Sequence, residues 1–130
     1  MSDTTIDQEA ERLLRSVALE LTDPAAAECL ACFVARMLGE FGCDNTLRFA
    51  SRYRDLRAPR ASGLARRLGQ MGGYCDCEVF LNGYQLADHL YAYDESGEPH
   101  APEQPPACGG VRRGSTQPCD NWERQQRRSW

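Results

Sequence analysis

A chain of 130 residues and 14.6 kDa makes one domain, with at most an added tail, and can bury roughly two-thirds of its unfolded surface without a staple. A mean hydropathy of −0.59 and the lack of any long apolar run exclude a spanning helix, and the acids Asp3, Asp7, Glu9, Glu11 and Glu20 are the wrong charges for a secretory signal. The expected setting is therefore the cytoplasm, where seven cysteines point to metal or redox chemistry before disulfides, and the net charge of −4 argues against gross nucleic-acid affinity.

Thr4 to Leu21 reads as an amphipathic helix, with Ile6, Ala10, Leu13, Leu14, Val17, Ala18 and Leu21 recurring at steps of three and four. Asp23 can cap a second helix and Pro24 suits its first position, so that helix should run from about Ala25 to Gly39 or Phe41. Its buried side would hold Leu30, Phe33, Val34, Met37, Leu38 and Phe41. Cys29 and Cys32 stand three apart on it, neighbours on one face that suit either a shared metal or core filling. Gly42 fits a helix end, Asp44 or Asn45 can cap the next helix, and Cys43 then falls in the turn, where backbone amides can support a thiolate.

Every basic residue is arginine, and seven of the 15 lie between Arg48 and Arg67 against one acid, Asp55. Arg48, Arg52, Arg57, Arg60, Arg66 and Arg67, interleaved with Phe49 and Tyr53, are candidates for contact with nucleic acid or an acidic protein partner. A solvated face paired with the acidic first helix explains the same pattern. Ala58-Pro59 separates two helices, the second ending near Met71.

Next comes Gly72-Gly73-Tyr74-Cys75-Asp76-Cys77-Glu78, a glycine pair able to end a helix, followed by two cysteines one residue apart. In a strand these alpha carbons would lie ~6.6 Å apart on one side. Thiolates ~2.3 Å from a tetrahedral zinc stand ~3.8 Å from each other, a gap that converging side chains close. Alternating carboxylates do not suit two inert buried thiols, so a shared metal is the stronger reading. Val79 to Tyr84 reads as a short strand into a turn, and Leu86 to Tyr93 as a short strand or helical turn. His89 and His100 are isolated and are not first-choice ligands.

From Asp94 to Ala107 the prolines at 99, 102, 105 and 106 mark an extended linker. Cys108 and Cys119 then bracket a glycine- and arginine-rich turn, with Trp122 and the basic end Arg124, Arg127, Arg128 and Trp130 beyond. This segment is expected to dock with reduced, metal-free thiols. A second metal site with a histidine, a share in the first site, or a disulfide are the other arrangements open to it.

The Gly72–Val79 run, taken with Cys43-Asp44-Asn45-Thr46-Leu47-Arg48, resembles DUF2695, a family of small bacterial proteins known as a domain of unknown function, over about residues 25–86. The resemblance implies a compact helical domain with three recurring cysteines, here Cys43, Cys75 and Cys77. Members with a histidine at the position of Asn45 would complete a Cys₃His site; here Cys29 or Cys32 is the expected replacement.

The expected fold is therefore mainly α: a compact domain of about four helices over residues 1–93, with a short β element after the Cys-Asp-Cys motif. Residues 94–130 form an irregular, docked extension. The expected function is that of a binding or interaction module stabilised by a structural zinc site, with no membrane and no evident small-molecule substrate. The alternatives are an iron–sulfur or thiol redox sensor, or a small metalloenzyme in which Asp76 or Glu78 serves as general base at an open site. No catalytic motif decides the enzyme question.

Overall fold

The computed structural model describes residues 8–14 and 21–125. Helix α1 is helical over residues 8–14, and all seven are exposed, Leu13 and Leu14 by 66% and 69%. The expected burial of that apolar stripe is thus corrected at these positions: no described residue covers them. Ile6, Val17, Ala18, Arg127, Arg128 and Trp130 lie outside the described residues.

The second helix starts later than its sequence signal. Ala27 takes a left-handed φ of 59°, which interrupts any helix running on from Pro24, and α2 spans Leu30–Phe41 with Cys29 as its N-cap. The loop before it is tied down by arginines reaching back from the next helix. Arg52 Nε donates to Thr22 O at 2.8 Å, and Arg57 donates to Pro24 O at 2.7 Å. Helix α2 ends at Gly42, whose φ of 75° is the left-handed stop the sequence suggested.

Helix α3 (Arg48–Arg57) packs on α2 to form the core. Phe33 meets Phe49 edge-on at 6.5 Å and Tyr53 at 5.9 Å between ring centroids, and Leu30, Val34 and Met37 are buried beside them. Phe41, expected in this core, is 46% exposed at the helix end. Helix α4 (Leu64–Gln70) buries Leu64 and Leu68 and closes in a left-handed turn: Gly72 has φ 85°, and Gly73 N donates to Leu68 O at 2.8 Å.

A single turn, α5 (Asp76–Glu78), replaces the strand expected at the two cysteines, and a π-helical turn over Val79–Gly83 replaces the strand expected after them. Gly83 leaves room at the end of α4: a Cβ there would lie 2.6 Å from Met71 Cε, the flexible end of that side chain, which would have to shift. Strand β1 (Tyr84–Leu86) follows, then a 3₁₀ turn over Asp88–Leu90.

Strands β2 (Ala92–Tyr93) and β3 (Pro99–His100) pair antiparallel around a turn in which Asp94 accepts from the amides of Ser96 and Glu98. The segment expected to be plain linker thus opens with a hairpin. The chain then returns to the helices, and β4 (Trp122–Arg124) pairs antiparallel with β1, Leu86 opposite Trp122. Mainly helical with two small two-stranded sheets, the fold places its cysteines at the ends of helices and in the loops beside them. No described helix is long and apolar enough to cross a membrane.

Candidate metal centre

The sulfurs of Cys43, Cys75 and Cys77 converge, all within 4.8 Å of one another. Cys43 comes from the α2–α3 loop, Cys75 caps α5, and Cys77 lies within that turn. An extended Cys75 (φ −141°, ψ 168°) followed by a helical turn swings both side chains the same way, so their sulfurs stand 3.3 Å apart without a strand.

What brings the two segments together is Asp76. Its side chain is fully buried and accepts from Phe49 N at 2.8 Å and Ala50 N at 3.1 Å, satisfying the first free amides of α3. Its own amide donates to Thr46 O at 3.0 Å. Leu47, at the cap position of α3, makes no side-chain cap bond, and Asp44 instead accepts from Thr46 within its own loop. The carboxylate considered as a general base is therefore a remote helix cap. Burial raises its pKa, while the two amides hold it down.

Arg48 fixes the other side of the loop. It donates to Gly42 O at 3.1 Å and stacks over the Phe49 ring at 4.2 Å. Cys43 Sγ accepts from Asn45 N at 3.4 Å, and the amide of Cys77 beside it is the chief reason its pKa falls below the usual thiol range. Cys75 is buried, which pushes its thiol up to about 12, and it donates to Glu78 Oε1 at 3.4 Å. Cys43, Cys77 and Glu78 are half-buried.

No fourth thiol completes this set. Cys29 and Cys32, expected to supply it, belong to another group, with Cys108 and Cys119. The reason is the delayed start of α2: with Cys29 at the N-cap, the pair opens toward the returning extension and not toward the opposite helix end where Cys43 lies. Neither histidine joins either group, and both are exposed.

The six arginines do not form one free face. Arg52 also pairs with Asp23 at 2.6 Å, Arg57 holds Pro24 O, Arg67 donates to Thr116 Oγ1 at 3.1 Å, and Arg48 holds the Cys43 loop. Arg60 and Arg66 are exposed. Arg52, Arg57 and Arg67 thus act as tethers for the loop before α2 and for the extension.

Residues 30–82 match the family model described as a protein of unknown function, DUF2695. The chain is 40% identical over 73 residues to the uncharacterized proteins Rv2271 of Mycobacterium tuberculosis (strain ATCC 25618 / H37Rv) and Mb2294 of Mycobacterium bovis (strain ATCC BAA-935 / AF2122/97). That alignment spans 56% of this chain and 73% of each relative. No solved structure matches the chain. Cys43, Cys75 and Cys77 all fall inside the family region; Cys29, Cys108 and Cys119 fall outside it.

Proposed function

The chain belongs to the DUF2695 family, and from that membership and its thiol geometry we propose that it is a zinc-binding interaction module centred on Cys43, Cys75 and Cys77. The single observation that carries this reading is the convergence of three sulfurs from two segments, joined by the buried aspartate that caps α3. Sulfur donors suit zinc, and three thiolates with one remaining position is a recognised coordination pattern. The sulfurs are preorganised, because Asp76 and Arg48 hold their loops in place.

Glu78, half-buried beside the three sulfurs, is the adjacent oxygen donor. A tetrahedral zinc would set a thiolate and a carboxylate oxygen ~3.6 Å apart, close to the 3.4 Å between Cys75 and Glu78. With Asp76 committed to the α3 amides and Glu78 drawn to the metal, neither is spare to act as a base. Ligand exchange at the fourth corner, by a side chain of a partner, fits the site better than hydrolysis does.

Elemental analysis with a visible spectrum of the native protein tests the reading. Colourless protein containing zinc, with one zinc fewer per chain in Cys43→Ser and in Cys77→Ser, is expected. Unchanged zinc in both variants overturns it, as does a brown protein carrying iron, which would make the group a cluster site.

A further inference from the structure

We propose that Cys29, Cys32, Cys108 and Cys119 form a second, closed zinc site that latches the C-terminal extension onto the start of α2. The four sulfurs lie within 4.8 Å of one another, and that of Cys32 stands 3.7 Å from that of Cys119, against ~3.8 Å for neighbouring thiolates on a tetrahedral zinc. No carboxylate or imidazole is part of the group. Four thiolates fill the coordination sphere, which is the structural pattern.

The surroundings are those of thiolates. Cys29 Sγ accepts from Cys32 N at 3.3 Å, and Cys108 Sγ accepts from Cys29 N at 3.2 Å and from Gly110 N at 3.3 Å. The indole of Trp122 donates to Cys32 Sγ at 3.3 Å. Four N–H groups from three separate segments are thus spent on sulfur, a weak acceptor when protonated and a good one when ionised. Gly110 itself has φ 85°, the left-handed region that glycine enters without strain, and so turns the chain directly after Cys108. Cys29 is wholly buried and Cys119 is 6% exposed, while Cys32 and Cys108 are half-buried, so the centre sits at the edge of the core.

Around the sulfurs the extension is already seated. Val111 N donates to Ala27 O at 2.9 Å, and Tyr53 Oη donates to both Glu28 O and Ser115 O, at 2.9 and 3.2 Å. A latch here joins Cys29 to Cys108 and Cys32 to Cys119, 79 and 87 positions apart. On binding, zinc(II) takes the place of the thiol protons, which pass to water, and no electrons move. The site shares no ligand with the Cys43 centre, so it stands or falls separately.

The test is zinc content and cobalt(II) spectra of the full chain and four variants. Cys108→Ser and Cys119→Ser are expected to lose one zinc per chain and the cobalt bands of a four-thiolate site, while Cys43→Ser and Cys77→Ser keep those bands. Should a variant fail to fold, the wild-type cobalt spectrum still decides, since a four-thiolate site absorbs at longer wavelength and more strongly than one with three thiolates and an oxygen. Wild-type zinc content in both Cys108→Ser and Cys119→Ser overturns the proposal. A disulfide among these four cysteines in freshly purified, metal-replete protein also overturns it. Loss of zinc only in the Cys43 and Cys77 variants would overturn this site and leave the other standing.

Discussion

The carboxylate of Asp76 accepts the amide proton of Phe49 at 2.8 Å across 27 residues of chain, so the turn that carries two cysteines is also the cap of the helix that follows the third. Removing that side chain orphans two buried amides, at about 1–3 kcal/mol each. Asp76→Ala should therefore cost about 2–6 kcal/mol in urea unfolding and weaken metal binding at Cys43, Cys75 and Cys77. Asp76→Asn keeps one acceptor and carries no charge into a buried place, so it should fall between wild type and alanine.

The arginine tethers give a contrasting result. Arg52→Ala and Arg57→Ala each release a backbone carbonyl of the 22–24 loop, and part of each side chain is solvated, so about 1 kcal/mol of stability is the expected loss. Limited proteolysis should then cut more readily near residues 22–28. Unchanged stability and cleavage would return these arginines to the pool of candidate contact residues.

Metal binding should weaken as pH falls, and the direction follows from the thiols. Burial pushes Cys75 up to about 12 and raises Cys119, while Cys32 is raised by donating to Cys29. Each of these must shed a proton at neutral pH before it can ligate. Cys29 is shifted the other way, its pKa lowered chiefly by the Cys32 hydrogen bond, so it gives up its proton most readily of the group. Affinity should fall about tenfold per pH unit for each proton displaced, and calorimetry in buffers of different ionisation enthalpy would count them.

Gly72 is held at φ 85°, and a Cβ there would lie 2.9 Å from Asn82 Cβ. Gly72→Ala should cost about 1–2 kcal/mol from the left-handed backbone alone, with more from the clash, and the loss should appear as a lowered urea midpoint. Gly63→Ala, with open space around it, serves as the control.

Much of this was legible in the chain itself. The glycine stop at Gly72 and the mainly helical class follow from local turn chemistry and periodicity, and the grouping of Cys43 with Cys75 and Cys77 from the family resemblance. The partnership of Cys29 and Cys32 was not legible, because no periodicity links them to thiols some 79 to 87 residues away. The start of α2 misled for a related reason. Asp23 and Pro24 form a sound local start signal, but the hydrogen bonds of Arg52 and Arg57 to the preceding carbonyls favour a loop. Asp76 read as a chemical group because nothing nearby in sequence needed its oxygens; the amides it serves are 26 and 27 residues upstream.

The pairing of β1 with β4 sets the order in which the protein can be made. Tyr84 meets Arg124, so this ladder, and every contact of Cys108 and Cys119 with α2, must wait until nearly the whole chain has been synthesised. The α2–α3 hairpin, built from near neighbours, can collapse while the ribosome is still at work. During that interval Cys29 and Cys32 stand without Cys108 and Cys119, open to stray oxidation. The segment from Cys108 to Gln125 gives the core Cys119 and, only in part, Cys108, Val111 and Trp122, so hydrogen exchange should find it opening before the helices do.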